Sequence, residues 1–328
     1  MKIQKSLANI MIVTALAGSF VTVANVITPT MQVVSADSST TKALSKAYVV
    51  YGAGSSNQSQ IASTLGVTDT YTKLTTTGAD ASYIGLSGIA DSAMISSVAL
   101  APAEPGTGTL VNIKDFNGAN NITKITSQQY AMAATMAGVQ DVIITVTANQ
   151  PVSGEAALAG VYKALDADGI QVDSQNTQAA NSVMDATSGA IDANKDDSSY
   201  AGKLTSAVTT TSGQIAEKKQ GGQNITINVI INQLNINLEK QGIDDQTTTA
   251  QTQKIATALK DVSDAPISSS AAYVKNAKNL GNKLKNSVGD IMAKAENFAN
   301  SADAKKAANW FMENIWNPVV NWVKGIIG

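Results

Sequence analysis

The chain has no cysteine and no histidine in its 328 residues. That double absence limits what can hold the fold together: no disulfide framework and no zinc site of the usual Cys/His kind is available. It also removes Ser-His-Asp triads and catalytic cysteines from consideration. All 23 basic residues are lysine, so the planar fork favoured for bidentate phosphate recognition is missing as well. Charged residues make up 15% of the chain, against roughly 25% in an average soluble protein. Neither a metal nor an organic cofactor is expected from this inventory.

The N-terminus reads as an address. Lys2 and Lys5 precede an uncharged, mostly apolar run from Ser6 to Ile27, and Val34-Ser35-Ala36 then brings small residues just ahead of Asp37. A basic start, an apolar centre and an A-x-A-like site make a secretory signal peptide over 1–36, cleaved between Ala36 and Asp37. The alternative is an uncleaved anchor, since the apolar run is long enough to span a bilayer; Pro29 and the small residues at the site favour cleavage. No lipid-bearing cysteine or wall-sorting signal is seen, so no covalent anchor is expected. The expected location is extracellular or at the cell envelope.

From 37 to 190 short strands and helices interleave, which implies an α/β (or α+β) domain. Strands are expected at Ala47 to Tyr51, Tyr71 to Thr77, Met94 to Ala101, Thr109 to Phe116 and Asp141 to Ala148. Helices are expected at Ile61, Ala62 and Leu65 with Gly66 as the stop, after Thr126 or Ser127, and from Ser153 to Leu165 with Ser153 as N-cap. The region after 190 reads as all-helical. A polar linker at Asp192 to Ser199 leads into a helix with Leu204, Val208 and Ile215, the two together filling 191–223. Asn224 to Leu238 alternates like a strand yet also places Ile230, Leu234 and Leu238 on one helix face; it is read as the first arm of a helical hairpin over 224–265, turning near Gly242. The segment 271–328 reads as basic amphipathic helices. Val274, Ala277, Leu280, Leu284 and Val288 start one apolar stripe, and Ala308, Phe311, Ile315, Val319, Trp322 and Ile326 form a second. Charge is segregated: 37–190 has six lysines against twelve acids, while 271–328 has eight lysines against four.

Several of these pieces are familiar in combination. Met94-Ile95-Ser96-Ser97-Val98, Pro105-Gly106-Thr107-Gly108, Ile122-Thr123-Lys124-Ile125-Thr126, Asp141-Val142-Ile143-Ile144-Thr145-Val146 and Pro151-Val152-Ser153-Gly154-Glu155 occur in an order that resembles domain-of-unknown-function family 1002. The resemblance covers about 47–190 well and continues more faintly through 215–262. It implies an exported protein of Gram-positive bacteria, with no assigned activity and no catalytic residue to carry over. Gly52 to Asn57 departs from the family pattern, so no role is transferred to it.

Each motif has a plain structural reading beside any functional one. Gly52-Ala53-Gly54-Ser55-Ser56 lacks the Lys-Ser/Thr of a phosphate loop and reads as a turn with a serine cap. The turn at Ser153 and Gly154 opens a helix and is a candidate anion site, against simple capping. Asp192-Ala193-Asn194-Lys195-Asp196-Asp197 starts like a calcium loop but has Asp197 where glycine is needed and Lys203 where a bidentate glutamate should sit. Glu104, Asp115, Asp141 and Glu155 are carboxylates of the type a glycosidase uses, with no spacing that pairs them.

The strongest functional signal is the C-terminus. All three tryptophans lie there, and Trp310, Phe311, Ile315, Trp316, Val319, Trp322 and Ile326 offer apolar insertion beside Lys294, Lys305, Lys306 and Lys324. Such a segment suits a membrane surface or an anionic wall polymer; packing within the protein or self-association is the competing reading. Nucleic acid is not an expected partner of an acidic chain without arginine. The expectation is a secreted, non-enzymatic, envelope-associated protein. Its alternatives are a secreted carboxylate-dependent hydrolase and a membrane-active, toxin-like protein.

Overall fold

The computed structural model describes residues 42–285. The signal segment with Ala36 and Asp37, and the tail bearing Lys294, Lys305, Lys306, Trp310, Phe311, Ile315, Trp316, Val319, Trp322, Lys324 and Ile326, lie outside the described residues.

β1 (Tyr48–Gly52) is an uninterrupted apolar and aromatic run with every residue buried. α1 (Gln58–Leu65) ends where Gly66 turns left-handed, at φ 73°, and its N–H returns to the last turn. Its entry differs from the serine cap expected: Asn57, itself at φ 59°, holds the cap position and makes no side-chain capping bond. β2 (Thr72–Thr76) then pairs parallel with β1. β3 (Ser97–Pro102) starts later than the run from Met94 suggests, because Met94 closes a short 3-10 turn at Asp91–Ala93. β4 (Thr109–Ile113), α2 (Ser127–Met136) and β5 (Val142–Thr147) make a second parallel pair with a helical crossover. β3 joins the two pairs, antiparallel to β1 and to β5, in the order β2-β1-β3-β5-β4. The result is a mixed sheet in an α/β arrangement.

Strand alternation divides the sheet into two unequal faces. Val49, Tyr51 and Ala99 meet Ile61 and Leu65 of α1 in a small cluster. Tyr48, Val50, Val98, Leu100, Val111, Ile144 and Val146 face the main core. α3 (Glu155–Ala167) lies on that second face, and Gly160 lets it come close: a Cβ there would sit 3.0 Å from Val98 Cγ1 and 3.1 Å from Thr76 Oγ1. The cap of α3 is Gly154 at φ 107°, not Ser153. Any Cβ on Gly154 would meet the Tyr130 hydroxyl at 2.4 Å, and that hydroxyl donates to the Gly154 carbonyl at 2.6 Å.

The remaining α-helices among the described residues are α4 (Ser174–Ala193), α5 (Tyr200–Gln220), α6 (Ile227–Gln241), α7 (Thr249–Asp264) and α8 (Ala271–Leu284). α4 has no counterpart in the sequence reading; position 190 falls inside it, and the polar stretch expected from Asp192 begins only at Asn194. Among the described residues the main apolar core runs from Leu44 through the sheet and across α2 to α8, as far as Leu284. The ambiguous run at 224–238 is helical, with Ile230, Leu234 and Leu238 buried, Ile227 and Ile236 exposed, and Gly242 at φ 65° ending it. α8 turns Tyr273, Ala277, Leu280 and Leu284 inward against α5.

Gln129 ties α2 to α4. It is fully buried, its Oε1 accepts from the Thr126 N–H in a capping box, and its Nε2 donates to Met184 O and to the Thr187 and Ser188 hydroxyls of α4. Gln129→Leu keeps the bulk and strands these partners, so it is expected to cost about 1–3 kcal/mol. Urea unfolding measures this; an unchanged midpoint would contradict the role given to Gln129.

Candidate functional site

The Pro105-Gly106-Thr107-Gly108 turn and the start of β5 are folded around one carboxylate. Asp141 sits at φ 48°, and its Oδ1 accepts the Gly106 and Gly108 N–H groups at 2.9 and 2.8 Å. Gly106 and Gly108 are themselves left-handed, at φ 88° and 71°, which aims their N–H groups inward. The backbone closes the arrangement, with Ala103 N donating to Asp141 O and Val142 N to Gly108 O.

α8 faces this turn across a cleft of about 300 Å³. Its inner face is apolar, whereas Lys275, Asn276, Asn279, Asn282 and Lys283, recurring at helical spacing, line the cleft. Gly108, Thr109 and Asp141 from the turn, with Thr135 of α2, make the opposite wall. Two contacts hold the walls in register. Asn276 Nδ2 donates to Gln140 Oε1 at 3.0 Å, and the Lys283 ammonium donates to the Thr107 carbonyl. Burial pushes the Lys283 ammonium below the ordinary lysine range, and the Asp141 charge opposes that push. The side chains of Lys275, Asn279 and Asn282 have no hydrogen-bond partner among the described residues.

The sequence-named residues are distributed differently. Ser153 donates its hydroxyl to Glu155 Oε2 at 3.2 Å, and the Ala157 N–H of the first turn of α3 reaches Ser96 Oγ at 2.8 Å. These groups of the Ser153 and Gly154 turn are thus engaged within the protein. Asp197 accepts from the Ser199 N–H and hydroxyl, and no group of three potential metal-binding side chains occurs among the described residues. Of the four carboxylates weighed for hydrolysis, Glu155 has a carboxylate neighbour that sequence spacing did not show. Asp185 of α4 has its carboxyl raised by burial and then by the Glu155 charge, with Lys254 and Lys124 pulling the other way. At the C-terminal end of α3, Asp168 accepts from the Ser45 N–H and hydroxyl and from Tyr48, while Asp166 accepts from Tyr83. That last bond adds to burial in pushing the Tyr83 hydroxyl up to about 12. No helix among the described residues is long and apolar enough to cross a membrane.

A family model described as "Protein of unknown function (DUF1002)" matches residues 51–280. No curated protein and no solved structure matches the chain.

The Asp141 turn gives a direct test. Asp141→Ala removes the shared acceptor and leaves a non-glycine residue in the left-handed region; it is expected to cost about 2–4 kcal/mol. Asp141→Asn, which retains an oxygen and tolerates that conformation, should cost less than half as much. Equal unfolding midpoints for the two variants would show that the carboxylate does not organise the turn.

Proposed function

We propose that this chain, which belongs to the DUF1002 family, is an exported, non-enzymatic binding protein held at the cell envelope by its C-terminal segment. The observation that carries this reading is the confinement of all three tryptophans to 310–322, beside Lys305, Lys306 and Lys324. Aromatic rings of this kind sit at headgroup depth, and each lysine near an anionic surface contributes about 1 kcal/mol. The signal-like segment at 1–36 supports export across a membrane.

Co-sedimentation of residues 37–328 with anionic and neutral liposomes and with purified cell wall tests the reading. Binding should prefer anionic surfaces, weaken with salt, and fall about tenfold or more in Trp310→Ala/Trp316→Ala/Trp322→Ala. Equal sedimentation of parent and variant, or none, would contradict it. Dye release from the same vesicles would favour the toxin-like alternative.

A carboxylate-dependent hydrolase is the second reading, favoured by the effect of Glu155 on Asp185. A carboxyl held up by burial and a like charge suits a general acid beside an ionised partner. Asp185→Asn should then abolish release of reducing ends from wall polymer; absence of such release from the parent chain would remove this reading.

A further inference from the structure

We propose that the cleft between α8 and the 106–109 turn binds a polyhydroxylated anion, a sugar acid or polyol phosphate, through Lys275, Lys283, Asn279 and Asn282. This site belongs to the folded body and stands apart from the C-terminal segment that the attachment reading rests on.

The charge of the lining sets the sign of the ligand. Among the described residues, two ammonium groups face the cleft against one carboxylate, and that carboxylate already holds two glycine N–H groups through Oδ1. Lys283 uses one N–H on the Thr107 carbonyl, which fixes the position of the ammonium and leaves two donors.

The neutral lining sets the rest of the chemistry. Asn279 and Asn282 each bring two N–H donors and a carbonyl acceptor, unused among the described residues. Amide groups that donate and accept side by side match hydroxyls, which do both. No aromatic ring among the described residues lines the cleft, so a flat base or ring has nothing there to stack on. The volume is near the lower end for small-molecule sites, enough for a short segment of a polymer rather than a large ligand.

Calorimetric titration of residues 37–328 tests this with four probes: an oligogalacturonate, a poly(glycerol phosphate) oligomer, neutral maltotetraose and inorganic phosphate. One or both acidic oligomers should bind, with maltotetraose and phosphate at least about tenfold weaker; which oligomer binds distinguishes a sugar acid from a polyol phosphate. Lys275→Gln/Lys283→Gln should remove binding, and Asn279→Ala/Asn282→Ala, whose side chains have no partner among the described residues, should weaken it about tenfold. Affinity should fall as pH rises through a lysine range that lies below the ordinary 10.5. The triple tryptophan variant should bind as the parent does, so failure of the attachment reading leaves this result intact. The proposal is overturned if neither acidic oligomer binds or if phosphate binds as tightly as they do. It is also overturned if the lysine and asparagine variants match the parent, or if binding is lost with the tryptophans.

Discussion

The close approach of α5 and α8 is the contact on which the functional features depend. Two glycines permit it. A Cβ on Gly213 would stand 3.1 Å from Ala277 Cβ, and one on Gly281 would stand 2.1 Å from Thr210 Oγ1. Ser206 then donates to the Gly281 carbonyl at 2.7 Å, and Ser212 shares a hydrogen bond with Tyr273 at 2.6 Å. A hydroxyl takes the place that bulky apolar residues fill in an ordinary helix pair, so α8 lies deep against α5. This fixes the far face of α8 opposite the Asp141 turn, which makes the cleft.

With neither disulfide nor Cys/His metal site, the fold relies on small-residue packing and on buried polar groups, some paired inside and others, such as Thr76 and Tyr162, without a hydrogen-bond partner among the described residues. Five tyrosines are fully buried, and four of them find a partner: Tyr48 on Asp168, Tyr130 on Gly154, Tyr200 on Thr247 and Tyr273 on Ser212. Thr205 and Thr211 return their hydroxyls to carbonyls four residues back, whereas the buried Thr209 hydroxyl on the same helix has no partner among the described residues. The segregated charge leaves the C-terminal region as the basic part of the chain.

Much of the sheet was legible because its signals are local. The run at Tyr48, the Gly66 stop and the Thr126 cap each depend on a few neighbouring residues. The 224–238 run was decided by burial of Ile230, Leu234 and Leu238, whose spacing outweighs the alternation of its isoleucines. α4 was not legible because alanine, asparagine and threonine supply most of its buried face, although the Asp173 cap and the Ala179, Ala180, Val183 and Met184 spacing mark it in retrospect. The cleft was hidden for a different reason. Asn276 meets Gln140, and Lys283 meets Thr107, across separations of 136 and 176 residues, and no motif announces such a meeting. Asp141 was weighed as a scattered acid, while its role is to hold glycine N–H groups 33 and 35 residues earlier.

In the attachment proposed for this chain, α8 stays packed on α5 while residues 286–328 meet the envelope. Hydrogen exchange of residues 37–328, with and without anionic vesicles, tests it most directly. Slowed exchange should be confined to 286–328, with α8 and α5 protected equally in both conditions. Loss of α8 protection on vesicles, or no change anywhere, would contradict it.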